Sequence, residues 1–528
     1  MRLTSAVPVL ASLVCGFAAS PSLTIEVKDY AAMPVTGAVD GPGNSAGLLA
    51  RINFLREEPG GGRKRLFVND LNGPLYILDR ETKKTTTYLD FNGLPGRHGI
   101  FHRLAIDQLL ASGFISFEFD PDYAHNGKFY TIHLEDPSLP ASSLPGNEGF
   151  PRFDTSPYAV TSAIRTFGAT EREAVLIEWT DTDISNSTFE GTARELMRVQ
   201  YSGRIHPMAD LIFNPAARPG DADWRVMYVA TGDGGNGEQT TNLRANPQRL
   251  DMLVGKILRI VPDLKEHVRD STVSENGRYR IPNGNPFATT LGARKEIWAN
   301  GLRNPHRLTW DVDPANKDNN HLIALVIGLS TWETVDIIHK GGNYGYSLRE
   351  GPQQLNADNT LTTRPENDVI PVQIDADKTA GTVHPRYPVI AYGHAKAEGV
   401  IAIANGFVYR GKAIAALRGK FLFGDITSGR LWWSDMKDML AADENDRKPM
   451  AERHDVKIAW NDNVYERMSP INEIAYHARG GKAEHLPGAE RVPGGRSDIR
   501  LAMDAAGELY IMTKSDGMIR TIVGADLR

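Results

Sequence analysis

A β-hairpin unit recurs along the chain, and this repetition constrains the fold more than any other feature of the sequence. Each copy joins a short apolar strand to an aromatic strand through a turn rich in Asp, Asn, Gly or Pro. Long insertions separate the copies, so the repeat is irregular. The six copies occupy residues 66–78, 114–132, 209–230, 306–327, 405–432 and 499–512.

Repetition of a hairpin unit favours radial closure, because a closed ring leaves few sheet edges free to pair with other chains. We therefore predict an all-β, six-bladed β-propeller with long inter-strand insertions, formed by residues 21–528 as a single domain. The insertions are expected on the faces of the ring, at residues 136–200, 262–293 and 351–398. The alternative is a pair of β-sandwich domains, but no Pro/Ser-rich linker divides the chain.

The amino terminus has the pattern of a secretory signal peptide. Arg2 is followed by an apolar run over residues 3–19 and by small residues at 18–20, which is the order of a charged start, an apolar centre and a cleavage site. We predict a signal peptide over residues 1–20 and a periplasmic or secreted protein. Cys15, the single cysteine, would leave with this peptide. The alternative is a membrane anchor, although the run is short for a span.

Charge and motif content exclude several classes of function. The net charge of −6 is spread along the chain without a long Lys/Arg run, so nucleic acids and acidic membrane surfaces are not expected partners. No later segment is long and apolar enough to cross a bilayer, and the mature chain is predicted to have no membrane span. The sequence has no His/Cys zinc pattern, no phosphate-binding Gly loop and no Gly-x-Ser-x-Gly elbow, which disfavours nucleotide and serine-nucleophile chemistry.

His206 and Asp233 are candidate catalytic residues. His206 precedes a β-rich run, and its imidazole could act as a general base near neutral pH. Asp233 lies in a Gly-Asp-Gly-Gly turn after the next strand, from which its carboxylate could bond one imidazole nitrogen and fix the tautomer. The alternatives are a solvated loop histidine and a turn aspartate without a catalytic role.

Two further segments carry polar groups suited to a site. Arg303 and Asn304 precede Pro305, and a planar guanidinium there could clamp carboxylates or quinone oxygens. A structural ion pair between blades is the alternative for Arg303. Residues 311–320 are rich in oxygen ligands, but they lack the Gly and the terminal Glu of an EF-hand loop, which favours a plain polar turn.

At these residues the chain resembles the glucose/sorbosone dehydrogenase family of quinoprotein sugar dehydrogenases. The landmarks follow in the expected order along most of residues 65–525, and the family fold is a six-bladed propeller. They are Phe-Glu-Phe-Asp-Pro-Asp-Tyr at 117–123, Gly-Asp-Gly-Gly at 232–235, Gly-Lys-Ile-Leu-Arg-Ile at 255–260, Gly-Leu-Arg-Asn-Pro at 301–305, Gly-Gly-Asn-Tyr-Gly-Tyr at 341–346 and Gly-Asp-Ile-Thr-Ser-Gly-Arg-Leu-Trp at 424–432.

The resemblance implies oxidation of an aldose at its anomeric carbon by hydride transfer to PQQ. It implies that His206 is the base, that Asp233 supports it, and that Arg303 and Asn304 contact the cofactor. It also implies a Ca²⁺ ion that polarises the quinone and takes backbone carbonyls as ligands, by position those of Gly328 and Leu329. Without a Cys-x-x-Cys-His motif the chain carries no c-type haem, so a separate electron acceptor is expected beside the small-molecule sugar substrate.

The sequence departs from the family pattern at positions that would neutralise the PQQ carboxylates. The expected glutamine is Ala111 and the expected lysine is Thr427, with Arg430 three residues on. An expected Arg-x-Arg pair is Ser497 and Ile499, which leaves Arg496 and Arg500 as substitutes; Arg430 and Arg496 are therefore predicted to bind the cofactor. The residue before the predicted base is Ile205. Two other hypotheses stay open: a cofactor-less propeller that binds carbohydrates or other ligands, and a calcium-dependent lactonase-like hydrolase.

Overall fold

The computed structural model describes residues 22–37, 48–60, 65–107, 112–239, 241–316, 319–444, 449–487 and 495–528. The predicted signal peptide (residues 1–20) and Ala111 lie outside these residues. Among the helices of the described ranges, none has the length and apolar character needed to cross a membrane.

Six blades of four main antiparallel strands form the ring, and within each blade the strands follow one another from the inside of the ring outwards. The strands are Ile52–Glu57, Arg65–Asp70, Pro74–Asp79 and Thr85–Asp90 in blade 1; Phe114–Phe119, Lys128–Glu135, Arg172–Asp181 and Gly191–Tyr201 in blade 2; Met208–Phe213, Met227–Thr231, Lys256–Ile260 and Ile297–Asn300 in blade 3; Asn304–Val312, Asn320–Ile327, Trp332–Ile337 and Ile390–Gly393 in blade 4; Ile403–Val408, Lys420–Asp425, Leu431–Asp435 and His454–Trp460 in blade 5; and Ile499–Met503, Leu509–Thr513, Met518–Leu527 and Leu23–Ala32 in blade 6.

The innermost strands close a ring around a central channel. Each contacts the innermost strand of the next blade in chain order, and the innermost strand of blade 6 contacts that of blade 1. The prediction of an all-β, six-bladed propeller is therefore confirmed, and the β-sandwich alternative is wrong. The physical reason is that each blade buries both faces against its neighbours, as Ile52 and Val68 of blade 1 do against Tyr510 and Met512 of blade 6.

The strand Leu23–Ala32 joins the two ends of the folded chain. It is the outermost strand of blade 6, where it pairs antiparallel with Met518–Leu527. Its first residues also pair in parallel with the outermost strand of blade 5, so blades 5 and 6 share one continuous sheet. The strand thereby fastens the amino-terminal end of the chain to its carboxyl-terminal blade.

Each hairpin unit lies in a different blade, but the first unit does not include the innermost strand of its blade. Five of the units fall on the innermost strands of their blades, whereas residues 66–78 fall on the second and third strands of blade 1. The predicted insertions at 136–200 and 351–398 are wrong in part. The first contains Arg172–Asp181 and Gly191–Tyr201, the two outer strands of blade 2, and the second contains Ile390–Gly393, the outermost strand of blade 4. The two strands of blade 2 carry charged residues that pair inside the protein, such as Arg198 with Glu195, and these charges interrupt the apolar strand pattern.

The insertions and connections add short elements outside the six blades. The additional strands are Phe153–Asp154, Ser271–Val273, Arg280–Pro282, Arg349–Glu350, Gln353–Leu355, Leu361–Thr362, Ile370–Gln373, Thr379–Val383 and Asn463–Tyr465. The α-helices are Tyr123–Asn126, Met436–Asp443 and Ser469–Ala478, and the 3₁₀ helices are Asn236–Glu238, Asn242–Ala245, Lys396–Glu398, Ala415–Leu417 and Ala483–His485. The helical content is low, as the sequence predicts.

Candidate functional site

A cavity of about 350 Å³ opens where the six innermost strands begin, and every blade contributes to its wall. One lining residue at or just before each innermost strand is Arg51, Ile115, Pro207, Arg303, Ala402 and Asp498, in blade order. A second cavity, of about 390 Å³, lies at the other end of the channel and is lined by residues near the ends of the same strands, including Phe119, Phe213, Trp310 and Met503. The fold therefore gathers residues that are far apart in sequence at one mouth of the channel.

The side chains of His206 and Asp233 form a hydrogen-bonded pair at this cavity. His206 Nδ1 lies 2.7 Å from Asp233 Oδ1, and Asp233 is fully buried. The backbone N–H groups of Gly235 and Gly237 donate to the two carboxylate oxygens, each at 2.9 Å. The backbone N–H of Asp233 donates to the carbonyl of Arg303. Three fixed donors therefore hold the turn and its carboxylate in place, and the carboxylate in turn orients the imidazole.

The electrostatic surroundings keep this pair in the form suited to base catalysis. Burial lowers the pKa of His206 and the charge of Arg303 lowers it further, while Asp233 opposes both effects. Burial alone would raise the pKa of Asp233, but His206, Arg303 and the Gly237 N–H hold it below its ordinary value. The imidazole is therefore neutral at pH 7 and the carboxylate is ionised. A neutral imidazole that donates from Nδ1 leaves Nε2 free to accept a proton.

Arg303 lies beside this pair and is only 5% exposed. One of its terminal nitrogens, Nη1, donates to the carbonyls of Ile327, at 3.3 Å, and Gly328, and the other, Nη2, forms an ion pair with Glu238. Its Nε is buried without a hydrogen-bond partner among the described residues. Next to it, Asn304 also lines the cavity, and its buried Oδ1 likewise has no partner there.

Gly328 and Leu329 line the cavity, but in this arrangement they do not fit a Ca²⁺ ion. The Gly328 carbonyl accepts a hydrogen bond from the Arg303 guanidinium, and a cation at the same oxygen would meet that positive charge. The N–H of Leu329 and the three that follow it all donate to Glu350 Oε1, at 2.9 to 3.2 Å, which fixes the loop. No group of three or more His, Cys, Asp or Glu side chains in the described residues could hold a metal. The calcium site stays a prediction.

Arg430 and Arg496, the two substitute arginines predicted to bind the cofactor, lie in different surroundings. Arg496 lines the cavity and pairs with Asp498 at 2.7 Å. Arg430 is not among the residues that line the cavity, and its guanidinium pairs with Glu398 at 2.7 Å. Thr427 and Ser497 are buried, and the backbone N–H of Ser497 donates to the carbonyl of Thr427 at 2.9 Å. Their hydroxyl side chains carry no charge.

Several polar residues at the cavity were not singled out from the sequence. His394 forms a second histidine–carboxylate pair there, with Nε2 2.7 Å from Oε1 of the buried Glu333. His306 and Arg307 follow Pro305 on the innermost strand of blade 4, and Lys514 lies in a turn of blade 6. The position of His306 and Arg307 directly after the Arg303-Asn304 motif was a usable signal. His394 and Lys514 carried none, because only ring closure brings them to the cavity.

The comparisons with known proteins agree with this architecture. The model of one protein family, Glucose / Sorbosone dehydrogenase, matches residues 62–468. The chain belongs to the glucose/sorbosone dehydrogenase family. Among its relatives is the HIPL2 protein of Arabidopsis thaliana, 28% identical over 344 residues, which are 61% of this chain and 43% of that protein. Aldose sugar dehydrogenase YliI of Escherichia coli (strain K12) is 31% identical over 122 residues, which are 23% of this chain and 26% of that protein.

Solved structures of sugar dehydrogenases share the fold of this family member at low sequence identity. The PQQ-bound form of aldose sugar dehydrogenase from Streptomyces coelicolor has a TM-score of 0.51 at 16% identity, covering 96% of this chain and 99% of that one. The apo-form of the soluble aldose sugar dehydrogenase from Escherichia coli has a TM-score of 0.52 at 15% identity, covering 96% and 100%. The match to HIPL2 spans less than half of that protein. The comparisons therefore establish the family and the fold of this chain, but not its activity.

Proposed function

We propose that this protein is an exported PQQ-dependent dehydrogenase that oxidises an aldose at the anomeric carbon. When bound, PQQ would supply the two-electron acceptor for the hydride of the sugar. The observation that carries the proposal is the His206–Asp233 pair at a cavity with an excess of positive charge. Membership of the glucose/sorbosone dehydrogenase family supports it.

The residues of the cavity fit an anionic, multiply hydrogen-bonding molecule such as PQQ, which has three carboxylates. Basic residues outnumber acidic ones in the cavity lining: the basic residues are Arg51, Arg303, Arg307, Arg496, Arg500 and Lys514, and the acidic residues are Glu238 and Asp498. Buried atoms there also lack a partner among the described residues, including Asn304 Oδ1, His306 Nε2 and Arg303 Nε. Buried polar atoms are rarely left without hydrogen bonds, so these atoms are suited to a ligand.

Of the predicted cofactor contacts, Arg303, Asn304 and Arg496 line the cavity and would hold the quinone and its carboxylates. Arg430 would take part only if its ion pair with Glu398 opened. Arg303, fixed by Glu238 and by two carbonyl oxygens, would stabilise negative charge that develops beside it during the reaction.

His206 would move the proton in this reaction. Its Nε2 would accept the proton of the anomeric hydroxyl as the C–H bond of the same carbon breaks, and Asp233 would stabilise the imidazolium that forms. Enclosure of the cavity by all six blades limits the number of water molecules that compete for Nε2. No step requires Ca²⁺.

The test is a titration of the purified mature protein with PQQ, followed by addition of an aldose and of an artificial electron-accepting dye. Saturable binding of PQQ, sugar-dependent dye reduction by the wild type and its loss in His206→Ala are the expected results. Failure to bind PQQ at micromolar concentration, or unchanged dye reduction in His206→Ala, would overturn the proposal.

A cofactor-less binding module is the second candidate, and one observation favours it. The family pattern has a cation at three positions that are Thr427, Ser497 and Ile499 here, and these side chains carry no charge. Arg430, the substitute for the first of them, lies outside the cavity lining. The same titration separates the candidates. Binding of sugar without PQQ, with an affinity that His206→Ala leaves intact, would identify the module. The lactonase hypothesis needs calcium, for which Gly328 and Leu329 do not fit in this arrangement.

We also propose that residues 1–20 direct export to the periplasm or beyond, and that the electrons pass to a separate acceptor. Mass spectrometry of the protein recovered from the host's exported fraction should find an amino terminus near residue 21. Retention of residues 1–20 in that fraction would favour the membrane anchor.

A further inference from the structure

Three basic residues of the cavity lining lie close enough together for their charges to interact. Arg307 lines both cavities and therefore lies between them. It comes from the innermost strand of blade 4, Arg500 comes from that of blade 6, and Lys514 lies in the turn that follows the next strand of blade 6. All three side chains are nearly inaccessible, since the residues are 3%, 4% and 5% exposed.

The two arginines are held together by a neutral acceptor. Asn53 Oδ1 accepts from Arg307 Nη2 at 2.8 Å and from Arg500 Nε at 3.2 Å. Each guanidinium also donates once to a backbone carbonyl, of His306 and Ile499 respectively. Arg307 additionally lies over the ring of Phe54, at 4.1 Å from its centroid. None of these partners carries a negative charge, although two like charges so close together repel each other.

The carboxylates nearest to these three basic residues, Asp498 and Asp210, already have other partners. Asp498 pairs with Arg496 at 2.7 Å. Asp210 accepts from the backbone N–H groups of Leu308 and Leu211, each at 2.9 Å, and lies 3.4 Å from Arg56. In the described part of the chain, no carboxylate therefore forms a hydrogen bond or ion pair with Arg307, Arg500 or Lys514.

Lys514 is the most exceptional of the three. None of the hydrogen bonds or ion pairs found among the described residues involves its Nζ. Burial lowers the pKa of Lys514 far below its ordinary value, and the neighbouring Arg500 of its own blade, Arg51 of blade 1 and Arg307 of blade 4 act in the same direction. Asp498 opposes them. An unpartnered amine held among cations at an accessible cavity is a costly arrangement unless a ligand uses it.

We propose that Lys514, Arg307 and Arg500 form a carboxylate-binding subsite in the part of the cavity wall that blades 4 and 6 supply. A carboxylate group has two acceptor oxygens, which match the ammonium and the guanidinium donors that converge there. The carboxylate belongs either to PQQ or to a sugar acid. In the first case the inference rests on the proposed function, and it assigns to Lys514 the charge that Thr427 does not supply.

A carboxylate in this subsite also changes the protonation of Lys514. The anion offsets the repulsion from Arg500, Arg51 and Arg307, and together with Asp498 it favours the ammonium form. Binding is therefore coupled to uptake of a proton over the pH range in which the Lys514 amine titrates, and affinity for the carboxylate weakens as pH rises through that range. A merely structural lysine would not produce this coupling.

The experiment is calorimetric titration of the mature protein with PQQ, with glucuronate and with neutral glucose, in buffers of different ionisation enthalpy. Lys514→Met is expected to weaken carboxylate binding roughly 10- to 100-fold, the loss of one or more charge-assisted hydrogen bonds, and to abolish proton uptake. Lys514→Arg is expected to bind the carboxylate without proton uptake, because an arginine stays charged. Lys420→Met is the matched control: Lys420 is also buried, but it pairs with Asp435 away from the cavity.

The outcomes separate this inference from the proposed function. Loss of PQQ affinity in Lys514→Met but not in Lys420→Met would support both. PQQ binding that is equal in the wild type and Lys514→Met, with no glucuronate binding, would overturn the subsite and leave the dehydrogenase standing. Glucuronate binding that depends on Lys514, without PQQ binding, would support the subsite and overturn the dehydrogenase. If the wild type binds neither carboxylate, both fail; if Lys514→Met does not fold, Lys514→Arg still tests proton uptake.

Discussion

His206 has a backbone conformation that non-glycine residues seldom adopt, with φ at 53°. Two hydrogen bonds hold it there: the N–H of Gly234 donates to the His206 carbonyl, at 3.1 Å, and the N–H of Gly232 to the carbonyl of Pro207, at 3.0 Å. A Cβ atom on Gly232 would lie 2.5 Å from the His206 carbonyl oxygen, so a glycine is needed for this approach. Such strain costs about 1–3 kcal/mol and persists where the surroundings over-determine it. Here it places an imidazole beside Asp233 at the cavity.

The pH dependence of sugar oxidation should report the lowered pKa of His206. A protonated imidazole cannot accept the hydroxyl proton, so kcat falls as pH drops through the pKa of His206, and because that pKa lies below 6.5 the rate holds to a more acidic pH than an ordinary histidine allows. His206→Ala should lower kcat roughly 10²- to 10⁴-fold. The measurement is the pH profile of dye reduction. An acid limb centred above pH 6.5 would contradict the assignment.

Asp233→Asn should change the same profile in a distinct way. Asp233 is the larger of two groups, with Glu238, that raise the pKa of His206 against burial and Arg303. Its replacement by a neutral amide should therefore move the acid limb to a lower pH, and lower the plateau rate roughly 10²-fold because the imidazole tautomer is no longer fixed. Glu238→Gln is a useful comparison, since Glu238 raises the pKa of His206 without touching it. An unchanged plateau in Asp233→Asn would argue against the pair.

Removal of divalent metal should leave PQQ affinity unchanged, because Arg303 occupies the carbonyl oxygen of Gly328 that a Ca²⁺ ion would need. The measurement is PQQ titration of protein dialysed against EDTA, before and after calcium is restored. A tenfold or larger gain on restoring calcium would mean that Arg303 leaves Gly328 when the cofactor binds. It would then favour the calcium ligands predicted from the sequence.

At the residue scale, the sequence predicts a contact best where both partners lie close to one hairpin, as in the hydrogen bond between His206 and Asp233. His206 and Asp233 lie on turns before and after the innermost hairpin of one blade, so local strand pairing is enough to join them. Arg430 lies three residues from Thr427, but this proximity in sequence does not place it at the cavity. Lys514 and Arg307 meet only because the ring closes, and no local pattern contains that information.

At the scale of single strands, blade 4 contains a buried acid that makes stability depend on pH. Asp336 lies on Trp332–Ile337, and burial raises its pKa to about 7; its Oδ2 accepts from the Thr334 hydroxyl at 2.8 Å. The folded state thus favours the protonated acid. Its contribution to stability is complete below the ordinary pKa of 3.8 and is lost as pH rises towards 7.

Asp336→Asn should remove this dependence. Between pH 5 and 8 the free energy of unfolding of the wild type should fall by roughly 2–3 kcal/mol more than that of the variant. Denaturant unfolding at the two pH values is the measurement. Asp526→Asn serves as the control, since Asp526 is exposed near the end of the strand Met518–Leu527. Parallel losses in the wild type and Asp336→Asn would show that Asp336 is ionised in the folded protein at both pH values.

The strand Leu23–Ala32 should be the most sensitive of the outer strands, because it contacts two blades. Ile25 is fully buried there, whereas Lys28 is exposed. Ile25→Ala should lower the free energy of unfolding by about 2–4 kcal/mol through loss of buried methyl groups. Lys28→Ala should change it by less than about 0.5 kcal/mol. Equal effects of the two substitutions would show that the strand is not part of the folded core.

Strand patterns in the sequence predicted the number of blades better than their extent. Apolar runs that end in Asp-Pro or Asn-Gly turns marked the inner strands, which are buried on both faces. The outer strands of blade 2 have no clear apolar pattern, because Glu178, Glu195 and Arg198 interrupt their apolar runs. These charged side chains find their partners only in the folded protein. Local pattern could not anticipate pairing of that kind.

For the whole molecule, ring closure is the feature that joins the fold to the site. The cavity wall takes residues from all six blades, so displacement of one blade moves part of the wall. The ring is closed by strand pairing at one place in the described chain, where Leu23–Ala32 pairs with both Met518–Leu527 and His454–Trp460. A change that weakens ring closure should therefore also weaken ligand binding at the cavity. The single-domain prediction can be tested by weakening the closure and measuring both properties.

Deletion of residues 22–32 should unfasten the ring and lower stability and ligand affinity together. The deletion exposes the outer edges of blades 5 and 6 and leaves the burial of Ile458 and Ile522 incomplete. Scanning calorimetry of the wild type should show one cooperative transition, as expected for a single domain; the deletion should shift it downward by several degrees or broaden it. PQQ affinity should fall in the deletion variant at a temperature where it is still folded. Two well-separated transitions in the wild type would mean that groups of blades unfold independently, and unchanged PQQ affinity in the deletion variant would mean that the cavity wall does not depend on closure.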